Sequence, residues 1–567
     1  MTQSRPLSGI YSVIGPPGTG KTSWVLTQVG QNVQRGTPTL VCSLTRAAAA
    51  EFSKRQIPIS PERVGTLHSH AIRALGRPEL AETKLKDWNA ENPSLRLTPS
   101  RGSTQDDPYS DGVGEAPGDA LMGEYQLLRN RCVKRDLWPM RVRGFATRWE
   151  GWKSDGDLID FTDAIEIALH DVAFAPHAPH VIIADEAQDH SRLELDLLQA
   201  WGRQAGALIL VGDPWQALYT WRGADPGIFL DPEIPDDHRR VLSTSYRIPA
   251  AVHRVATTWV RELSDWSPIE YAPRTEPGEV HRLDATIRSP EPILAVAQQH
   301  IDAGRSVMVA ATCSYQLDRL LAVLRKAAMP FANPNRLRRG DWNPLAARRG
   351  TSVKDRILAL LRPCEDVFGD VFDAATRGND DHARGWTYDE LGQWVDPLRS
   401  EGVMQRGAKA QIAEAAKTAA DQSVAAADIP AWFHEDQAAR VAALLNGELL
   451  ADEALRWWDA CLLASKRDTA RYPLTVAMKR GPLTLREQPK LMVGTIHSFK
   501  GAEADVVILF PDLSPRATHH YYGPKGELRD AVVRTIYVGL TRARQALYVC
   551  DPSCGRSVNF TPFIGAA

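Results

Sequence analysis

The sequence has few cysteines, and their spacing suits neither bridges nor metal. Seven cysteines are scattered over 567 residues, no Cys-x-x-Cys pair occurs, and the closest two are Cys550 and Cys554. An odd, scattered set opposes a disulfide framework and a structural zinc site, and it is typical of a reducing compartment.

Long apolar runs are also missing. No stretch approaches the roughly 18 apolar residues that a membrane span needs. The first residues lack the apolar core and small-residue cleavage site of a signal peptide. The sequence therefore predicts a cytoplasmic protein without a membrane partner.

A strong excess of charge of one sign is absent too. The formal net charge is -2, so the composition neither indicates nor excludes a polyanionic partner, because a basic groove can be offset by acidic surface elsewhere. Hydrophobic residues make up 43% and charged residues 24%, as in ordinary globular proteins. The length exceeds what one core accommodates and predicts three or four structural units.

Short apolar runs alternate with helical patterns along much of the chain. An apolar run at 10–14 precedes a helical pattern from Lys21, and a run at 39–44 precedes the alanine-rich TRAAAAEFSKR. Alternating strands and helices predict parallel sheets with helices on their faces, here in two α/β domains. Further strand signals lie at 180–184, 207–211, 306–311, 491–495 and 505–510.

Two long stretches break this alternation. Residues 76–156 are polar with scattered tryptophans, and their segment 101–120 predicts a mobile loop. Residues 335–487 are rich in Ala, Arg and Asp and show helical periodicity without a parallel-strand signal. Both stretches indicate mainly helical insertions into the α/β domains.

A phosphate-binding loop is indicated by GPPGTGKT at 15–22, which fits GxxxxGK[ST] between a strand and a helix. Backbone N–H groups of such a loop cradle phosphates. Lys21 would reach the β- and γ-phosphates, and the Thr22 hydroxyl would ligate Mg²⁺. The alternative is a glycine-rich turn that merely starts a helix, which the flanking strand and helix oppose.

A second chemical signal is the apolar run VIIA at 181–184 that ends in Asp185 and Glu186. A buried strand that ends in carboxylates places them at the ligand-binding edge of a parallel sheet. Asp185 would hold hydrated Mg²⁺, and Glu186 would orient and deprotonate the attacking water. Combined with the loop at 15–22, the pair predicts a hydrolase rather than a kinase; alone it would equally fit a solvated strand end.

Seven segments resemble, in family order, the motifs of the UvrD/Rep-like helicases of superfamily 1. The longest is LILVGDPWQALYTWRGA at 208–224, which resembles the motif III of that family. The others are VGTLHS at 64–69, DFTD at 160–163, DEAQD at 185–189, STSYR at 243–247, VGTIHSFKGAE at 493–503 and YVGLTRAR at 537–544. The expected location is the bacterial cytoplasm, or the host cytoplasm for a phage-encoded chain, an origin that the small size and short N-terminus would suit.

The resemblance implies an α/β fold of two RecA-like P-loop motor domains with parallel sheets, each interrupted by a mainly helical accessory insertion. The first motor domain would comprise residues 1–75 and 157–240, with its insertion at 76–156. The second would comprise residues 241–334 and 488–567, with its insertion at 335–487.

The resemblance also implies an ATP and Mg²⁺ site between the two motor domains. Gln216 would contact the γ-phosphate, and Arg247 and Arg542 would act as arginine fingers from the second motor domain. Tyr246 would stack on adenine, and Glu503 would hydrogen-bond the ribose. The catalytic set is Lys21, Glu186, Gln216, Arg247 and Arg542, and the loop contacts are Gly15, Pro16, Pro17, Gly18, Thr19, Gly20, Lys21, Thr22 and Ser23.

By the same resemblance, the partners are single-stranded DNA and tailed duplex DNA, with a protein partner or self-association as an option for unwinding. Tyr219 and Trp221 would stack on bases, which every base permits because each has a flat face. A core role is the alternative for Trp221, and a structural polar link is the alternative for the histidines. The backbone contacts would be Thr45, Arg46, Thr66, His68, Thr495 and His497.

The sequence departs from the family pattern where adenine is read. A glutamine motif ahead of Gly15 has no clear counterpart, since the surroundings of Gln3 do not match, and Ser23 stands where the family has Arg. We therefore predict relaxed selectivity among nucleoside triphosphates. Pro214 and Trp215 replace common acidic residues, and packing is the favoured role for Trp215.

Three functions fit these motifs. The first is a 3'-to-5' DNA helicase, since GDxxQxxYxWRGA resembles the 3'-to-5' branch of the family. The second is a DNA-stimulated translocase that displaces proteins without unwinding alone, and the third is a regulatory nucleic-acid-binding module with an inactive motor. The complete catalytic set opposes the third, and RNA as the track is the less favoured substrate.

Overall fold

The computed structural model describes residues 8–43, 59–99, 116–230, 234–337, 339–347, 350–364, 366–367 and 385–564. They divide into two compact units. The first comprises Met1–Ile293, Val307–Leu317 and Gly494–Ala567, and the second comprises Leu294–Ser306 and Asp318–Val493. The bounds of these two units differ from those of the motor domains and insertions predicted from the sequence. The predicted domain bounds therefore remain a prediction.

The first sheet has six parallel strands in the order β3-β2-β4-β5-β1-β6. Every residue of β2, β4 and β5 is buried, which explains their continuous apolar runs. Because β5 lies between β1 and β4, the carboxyl ends of these three strands meet at one edge of the sheet. The strands are β1 Gly9–Ile14, β2 Thr39–Ser43, β3 Val64–Thr66, β4 Val181–Asp185, β5 Ala207–Gly212 and β6 Arg239–Val241.

Seven α-helices occur in the described residues of this first part of the chain. The last begins with a capping box, in which Ser191 and Glu194 satisfy each other's backbone N–H groups. The helices are α1 Lys21–Gln34, α2 Leu67–Ala74, α3 Leu85–Glu91, α4 Asp119–Asn130, α5 Met140–Asp155, α6 Phe161–Asp171 and α7 Arg192–Ala205.

The described part of the predicted insertion 76–156 is helical and has its own aromatic core. Trp88 and Trp149 are fully buried, with ring centroids 5.0 Å apart in an edge-to-face arrangement. Buried Arg129 donates to Asp160, the N-cap of α6, at 3.2 Å. This ion pair ties the insertion to the DFTD segment that follows it. Most of the predicted loop 101–120 lies outside the described residues.

Six more strands follow: β7 Glu279–Leu283, β8 Val307–Ala311, β9 Phe331–Ala332, β10 Leu491–Thr495, β11 Ala504–Leu509 and β12 Ala543–Cys550. Within the first unit, β7-β12-β11-β8 form a parallel sheet in that order. Within the second unit, β9 pairs in parallel with the start of β10.

From residue 234 onward the described residues contain thirteen further α-helices: α8 Ala250–Val260, α9 Pro292–Asp302, α10 Asp318–Lys326, α11 Val353–Leu360, α12 Tyr388–Val395, α13 Ala408–Thr418, α14 Ile429–Trp432, α15 Glu435–Leu445, α16 Ala451–Cys461, α17 Ala464–Arg480, α18 Pro515–Tyr522, α19 Glu527–Leu540 and α20 Thr561–Ile564. In the first unit α8 packs on α19, where Trp259 Nε1 donates to Val533 O at 2.8 Å.

The second unit holds most of the predicted insertion 335–487. Its described residues in that range form helices and isolated bridges but no β-strand. Trp394 and Trp458 are buried in its core, and Trp458 Nε1 donates to Trp394 O at 2.9 Å. The helical character predicted for this insertion therefore agrees with the described residues.

The two parallel sheets confirm the predicted α/β fold class. The seven strands predicted from apolar runs lie within one residue of those runs, whereas β3, β6, β7, β9 and β12 were not predicted. Among the described residues, no helix combines the length and apolar character that crossing a bilayer demands.

Candidate active site

The phosphate loop connects the carboxyl end of β1 to the amino end of α1. Gly15 N donates to Gly212 O at 2.8 Å, which anchors the loop to β5. The Lys21 amine folds back and donates to Gly15 O at 2.9 Å. Gly20 caps α1 with a φ of 83° and offers no side-chain acceptor to the first-turn N–H groups. A helix start with such unsatisfied donors suits an anion.

Gly18 is the point where the loop meets the STSYR segment. Its φ is +75°, and an added Cβ would lie 2.3 Å from Arg247 Cβ, so only glycine fits. Tyr246 N donates to Gly18 O at 2.8 Å, and Ser245 Oγ donates to Pro17 O at 2.8 Å. The Tyr246 ring is 75% exposed and lies beside Gly20. An exposed ring next to a phosphate loop is suited to stacking on a base.

The two carboxylates after β4 differ in their electrostatics. Burial raises the pKa of Asp185 to about 7, and the adjacent Glu186 charge adds to this rise. Burial also opposes ionisation of Glu186, but the charges of Lys500 and Lys21 outweigh it and lower its pKa to about 2. Glu186 adopts a left-handed φ of 55°, an uncommon conformation outside glycine. The neighbouring lysine charges therefore favour the ionised form of Glu186, which is the form that a general base requires.

Asp185 suits a divalent cation. Its Oδ1 is buried and accepts no hydrogen bond, a costly arrangement that a cation would relieve. No group of three or more His, Cys, Asp or Glu that could hold a metal occurs in the described part of the chain. One carboxylate and one hydroxyl, from Asp185 and Thr22, match the sparse protein ligation typical of Mg²⁺ bound together with phosphates.

Motif III and motif VI meet through Gln216. Its Oε1 accepts from Arg542 Nη2 at 2.6 Å, and its Nε2 donates to Asp213 Oδ2 at 2.5 Å. Arg542 is 3% exposed and also donates to Val538 O and Ala502 O. Burial, followed by the nearby Arg247 charge, lowers the pKa of Arg542 to about 9. A residue predicted to sense the γ-phosphate therefore contacts a predicted arginine finger.

Arg247 and Glu503 also contact each other. Arg247 Nε donates to Glu503 Oε2 at 2.5 Å, and Arg544 Nη1 donates to Glu503 Oε1 at 3.3 Å. The predicted ribose contact and the other predicted arginine finger thus share one ion pair beside the phosphate loop.

Sequence reasoning missed Lys500, which belongs to the motif V segment. Its amine forms an ion pair with Asp189 and lies 3.6 Å from Glu186 Oε2. It also lies 5.2 Å from the centre of the Tyr219 ring, within cation–π range. Burial lowers the pKa of Lys500 to about 8, although Glu186 opposes this. Lys500 lies at the end of a short turn, directly before Gly501, and this position gives no local signal of these contacts.

The predicted strand contacts fall into an accessible and a buried set. Thr66, His68 and Trp221 are partly exposed. Thr66 Oγ1 caps α2 by accepting from Ser69 N, and His68 Nδ1 lies 3.4 Å from Glu194. The buried Trp221 Nε1 has no hydrogen-bond partner in the described residues, so Trp221 retains a donor as well as a ring face.

The buried set is Tyr219, Thr495 and His497. Tyr219 is 5% exposed, with its ring 6.4 Å from that of Trp221, and Thr495 and His497 are at most 1% exposed. In this conformation the side chains predicted to contact a strand at these three positions are buried. Thr45 and Arg46 lie outside the described residues.

A second set missed by sequence reasoning comes from the end of α4. Asn130 Nδ2 donates to Arg222 O at 3.1 Å, and Arg131 Nη2 donates to Thr220 O at 3.2 Å. Arg131 also forms an ion pair with Glu527 at the start of α19. The first insertion thereby holds the turn that presents Trp221.

Comparisons with known proteins agree with this site. A family model described as an AAA domain matches residues 3–222. The ATP-dependent DNA helicase UvrD2 of Mycobacterium tuberculosis (strain ATCC 25618 / H37Rv) is 24% identical over 580 residues, covering 94% of this chain and 75% of that protein. DNA helicase IV of Escherichia coli (strain K12) is 28% identical over 138 residues, covering 23% and 20%.

Two parallel sheets with flanking helices, a phosphate loop and the contact of the motif III and motif VI segments are consistent with a P-loop protein of the two-domain RecA-like class. Together with the ordered motifs and the helicase relatives, they make the chain similar to the UvrD/Rep-like DNA helicases of superfamily 1.

Proposed function

We propose that this protein is an ATP-dependent DNA helicase that moves 3'-to-5' along single-stranded DNA. The observation that carries the proposal is the contact of Arg542 with Gln216 at 2.6 Å. It brings a group from motif VI to the motif III segment of the other predicted motor domain, so hydrolysis can depend on how the two domains meet.

Nucleotide binding would begin at the phosphate loop. Lys21 would release Gly15 O and donate to the β- and γ-phosphates, while the α1 amides hold their oxygens. Tyr246 offers its exposed ring to the base. Mg²⁺ held by Asp185 and Thr22 would neutralise charge on the β- and γ-phosphate oxygens.

Hydrolysis would use Glu186 and the cations around it. Ionised Glu186 would orient the attacking water and accept its proton. Arg542 and Arg247 would donate to the transferring phosphoryl group, and arginines in this role contribute about 10³–10⁵ in rate. Gln216 must then exchange its present partner for phosphate or water, which links the γ-phosphate to the position of Arg542.

The grip on the strand would combine stacking on Trp221 with backbone contacts from Thr66 and His68. Tyr219 lies between Trp221 and Lys500, and Lys500 contacts Glu186 and Asp189. A DNA base that displaces Trp221 would therefore act on Glu186, the general base, through the contacts of Tyr219 and Lys500. Support for the 3'-to-5' direction comes from the YxWRGA segment at 219–224.

The test of the motor is strand-stimulated ATP hydrolysis, with matched DNA and RNA oligomers at fixed salt because backbone contacts are salt-dependent. Wild type should be stimulated by DNA more than by RNA. Lys21→Ala should lose hydrolysis and retain strand binding. Unchanged ATP turnover in Lys21→Ala would show that the phosphate loop is not the hydrolytic site. Full ATP turnover without nucleic acid would show that hydrolysis is not coupled to a strand.

A further inference from the structure

Helix α17 of the second unit is packed along one face and contains Pro473 in its interior. Ala470, Leu474, Val476 and Ala477 bury its inner face, and Tyr472 Oη donates to Met329 O at 2.7 Å. Side chains on the opposite face are therefore held on a backbone that is fixed by packing.

The outer face of α17 carries an aligned basic stripe. Arg467, Arg471, Thr475 and Lys479 follow one another at four-residue intervals, and the three basic side chains are exposed. Residues four apart lie on one face of a helix, so the stripe runs along the helix for about 18 Å. Lys479 Nζ also donates to Lys326 O at 3.4 Å, which places the exposed Lys326 at the end of the stripe.

Acidic partners are scarce on this face. Helix α17 contains five basic residues and one acidic residue, Asp468. Asp468 lies 3.2 Å from Arg471, but the two side chains are 86% and 77% exposed, so the pair is a weak surface contact. Arg467 donates to Ala460 O and Lys479 to Lys326 O, which leaves the charges of both unneutralised by any acid in the described residues.

The charge of α17 contrasts with that of the chain around it. The preceding stretch 435–461, which contains α15 and α16, has six acidic and two basic residues. The whole protein has a net charge of -2, so the stripe is a local concentration of charge. Such a concentration on a nearly neutral chain marks a surface suited to a polyanion.

We propose that the stripe Arg467–Arg471–Lys479, extended by Lys326, binds the phosphate backbone of duplex DNA. Arg467 and Arg471 are about 6 Å apart along the helix and Lys479 is about 12 Å further on, so the three can neutralise phosphates spaced along one strand. The contact carries no sequence preference, because phosphate contacts position a protein without reading bases. It rests on the proposed function and adds a duplex-holding surface to the strand-gripping motor.

The experiment measures binding of the full chain to a blunt duplex by fluorescence anisotropy between 50 and 200 mM salt. The variant is Arg467→Gln/Arg471→Gln/Lys479→Gln. The matched control is Arg406→Gln/Arg440→Gln/Arg456→Gln, which removes the same charge from exposed positions of the same unit. Single-stranded-DNA-stimulated ATP hydrolysis is measured on each protein to report folding and the motor separately.

The stripe variant should lose about tenfold or more in duplex affinity at low salt, and its salt slope should become shallower by about three. The control variant should stay within about twofold, and strand-stimulated hydrolysis should persist in both. Equal losses in the two variants, or no loss in the stripe variant, would overturn the inference.

Three further outcomes separate this inference from its alternatives. Strand-stimulated hydrolysis without any blunt-duplex binding by wild type overturns the stripe and leaves the motor standing. A second outcome is that wild type self-associates in a salt-sensitive way that the stripe variant abolishes, while duplex binding is unchanged. That result would show that the stripe binds the acidic stretch 435–461 of a second copy, and it would overturn the DNA proposal. Absence of strand-stimulated hydrolysis in wild type rejects the proposed function itself, whatever the duplex affinity.

Discussion

Arg542 donates to Gln216 across 2.6 Å, and Gln216 in turn donates to Asp213. The buried chain links the carboxyl end of β5 to the start of β12. Since a side-chain amide offers one oxygen and two N–H donors, a phosphate near Gln216 competes directly with these partners. The relationship therefore ties the position of Arg542 to the nucleotide.

Replacing Arg542 tests that relationship. Arg542→Ala should lower kcat for strand-stimulated hydrolysis by about 10³-fold or more, because the charge on the transferring phosphoryl group loses its partner. Arg542→Lys should also lose most activity, since an ammonium lacks the planar fork of a guanidinium. Steady-state kinetics on both, with exposed Arg556→Ala as control, checks this. Full activity in Arg542→Lys would show that charge alone suffices there.

The end of α4 offers a second test. Arg131→Ala should raise the half-saturating concentration of single-stranded DNA about 3- to 10-fold, because part of the stacking energy depends on the held turn 220–222. The value of kcat at saturating DNA should change little. Arg135→Ala, which removes an exposed ion pair with Glu150 in the same insertion, is the control. A fall in kcat without a shift in half-saturation would contradict the positioning role.

Glu82 gives a prediction on stability and pH. Burial, followed by the Asp160 charge, raises the pKa of Glu82 to about 7 from an ordinary 4.5, while the N–H of Phe161 opposes the rise. An acid with a raised pKa in the folded state stabilises it most below pH 4.5 and loses that contribution as the pH rises through 7. Glu82→Gln removes the charge and keeps an acceptor for Phe161 N.

The Glu82→Gln variant should therefore unfold at a temperature a few degrees higher than wild type at pH 8, for a gain of about 1–3 kcal/mol. The difference should shrink as the pH falls and should disappear below pH 4.5, for example at about pH 4. Thermal unfolding at the two pH values measures it, and Glu79→Gln, which removes an exposed ion pair with Lys84, is the control. Destabilisation at pH 8 would show that the charged carboxylate is favourable.

Nucleotide selectivity tests the adenine end of the site. Tyr246 presents an exposed ring, which stacks on any base. GTP and CTP should therefore support strand-stimulated hydrolysis with kcat/KM within about a hundredfold of ATP. A thousandfold preference for ATP would mean that groups beyond Tyr246 read the base.

Sequence patterns predicted the elements that depend on local signals. The apolar run at 491–495 is a strand over those residues, and Lys21 starts α1. Burial of whole strands in a parallel sheet produces such continuous runs, and the phosphate loop has a fixed spacing. The edge of the sheet that gathers Asp185 and Asp213 follows from strand order alone.

Those local signals did not predict the contacts between segments that are distant in sequence. Nothing local indicates that Lys500 reaches Glu186 and Asp189, because the packing of segments distant in sequence decides it. The predicted base-stacking pair likewise divides into a partly exposed Trp221 and a buried Tyr219. Which aromatic faces the solvent depends on the turn held by Arg131, and that arginine lies 89 residues from Thr220 in sequence.

The most direct test of the proposed function is unwinding of one duplex that carries either a 3' or a 5' single-stranded tail. Glu186→Gln is the control, since it should bind the tail and fail to hydrolyse ATP. The account predicts ATP-dependent unwinding from the 3' tail alone. Unwinding from the 5' tail contradicts the proposed direction, and strand-stimulated hydrolysis without unwinding of either substrate contradicts autonomous helicase activity in favour of a translocase.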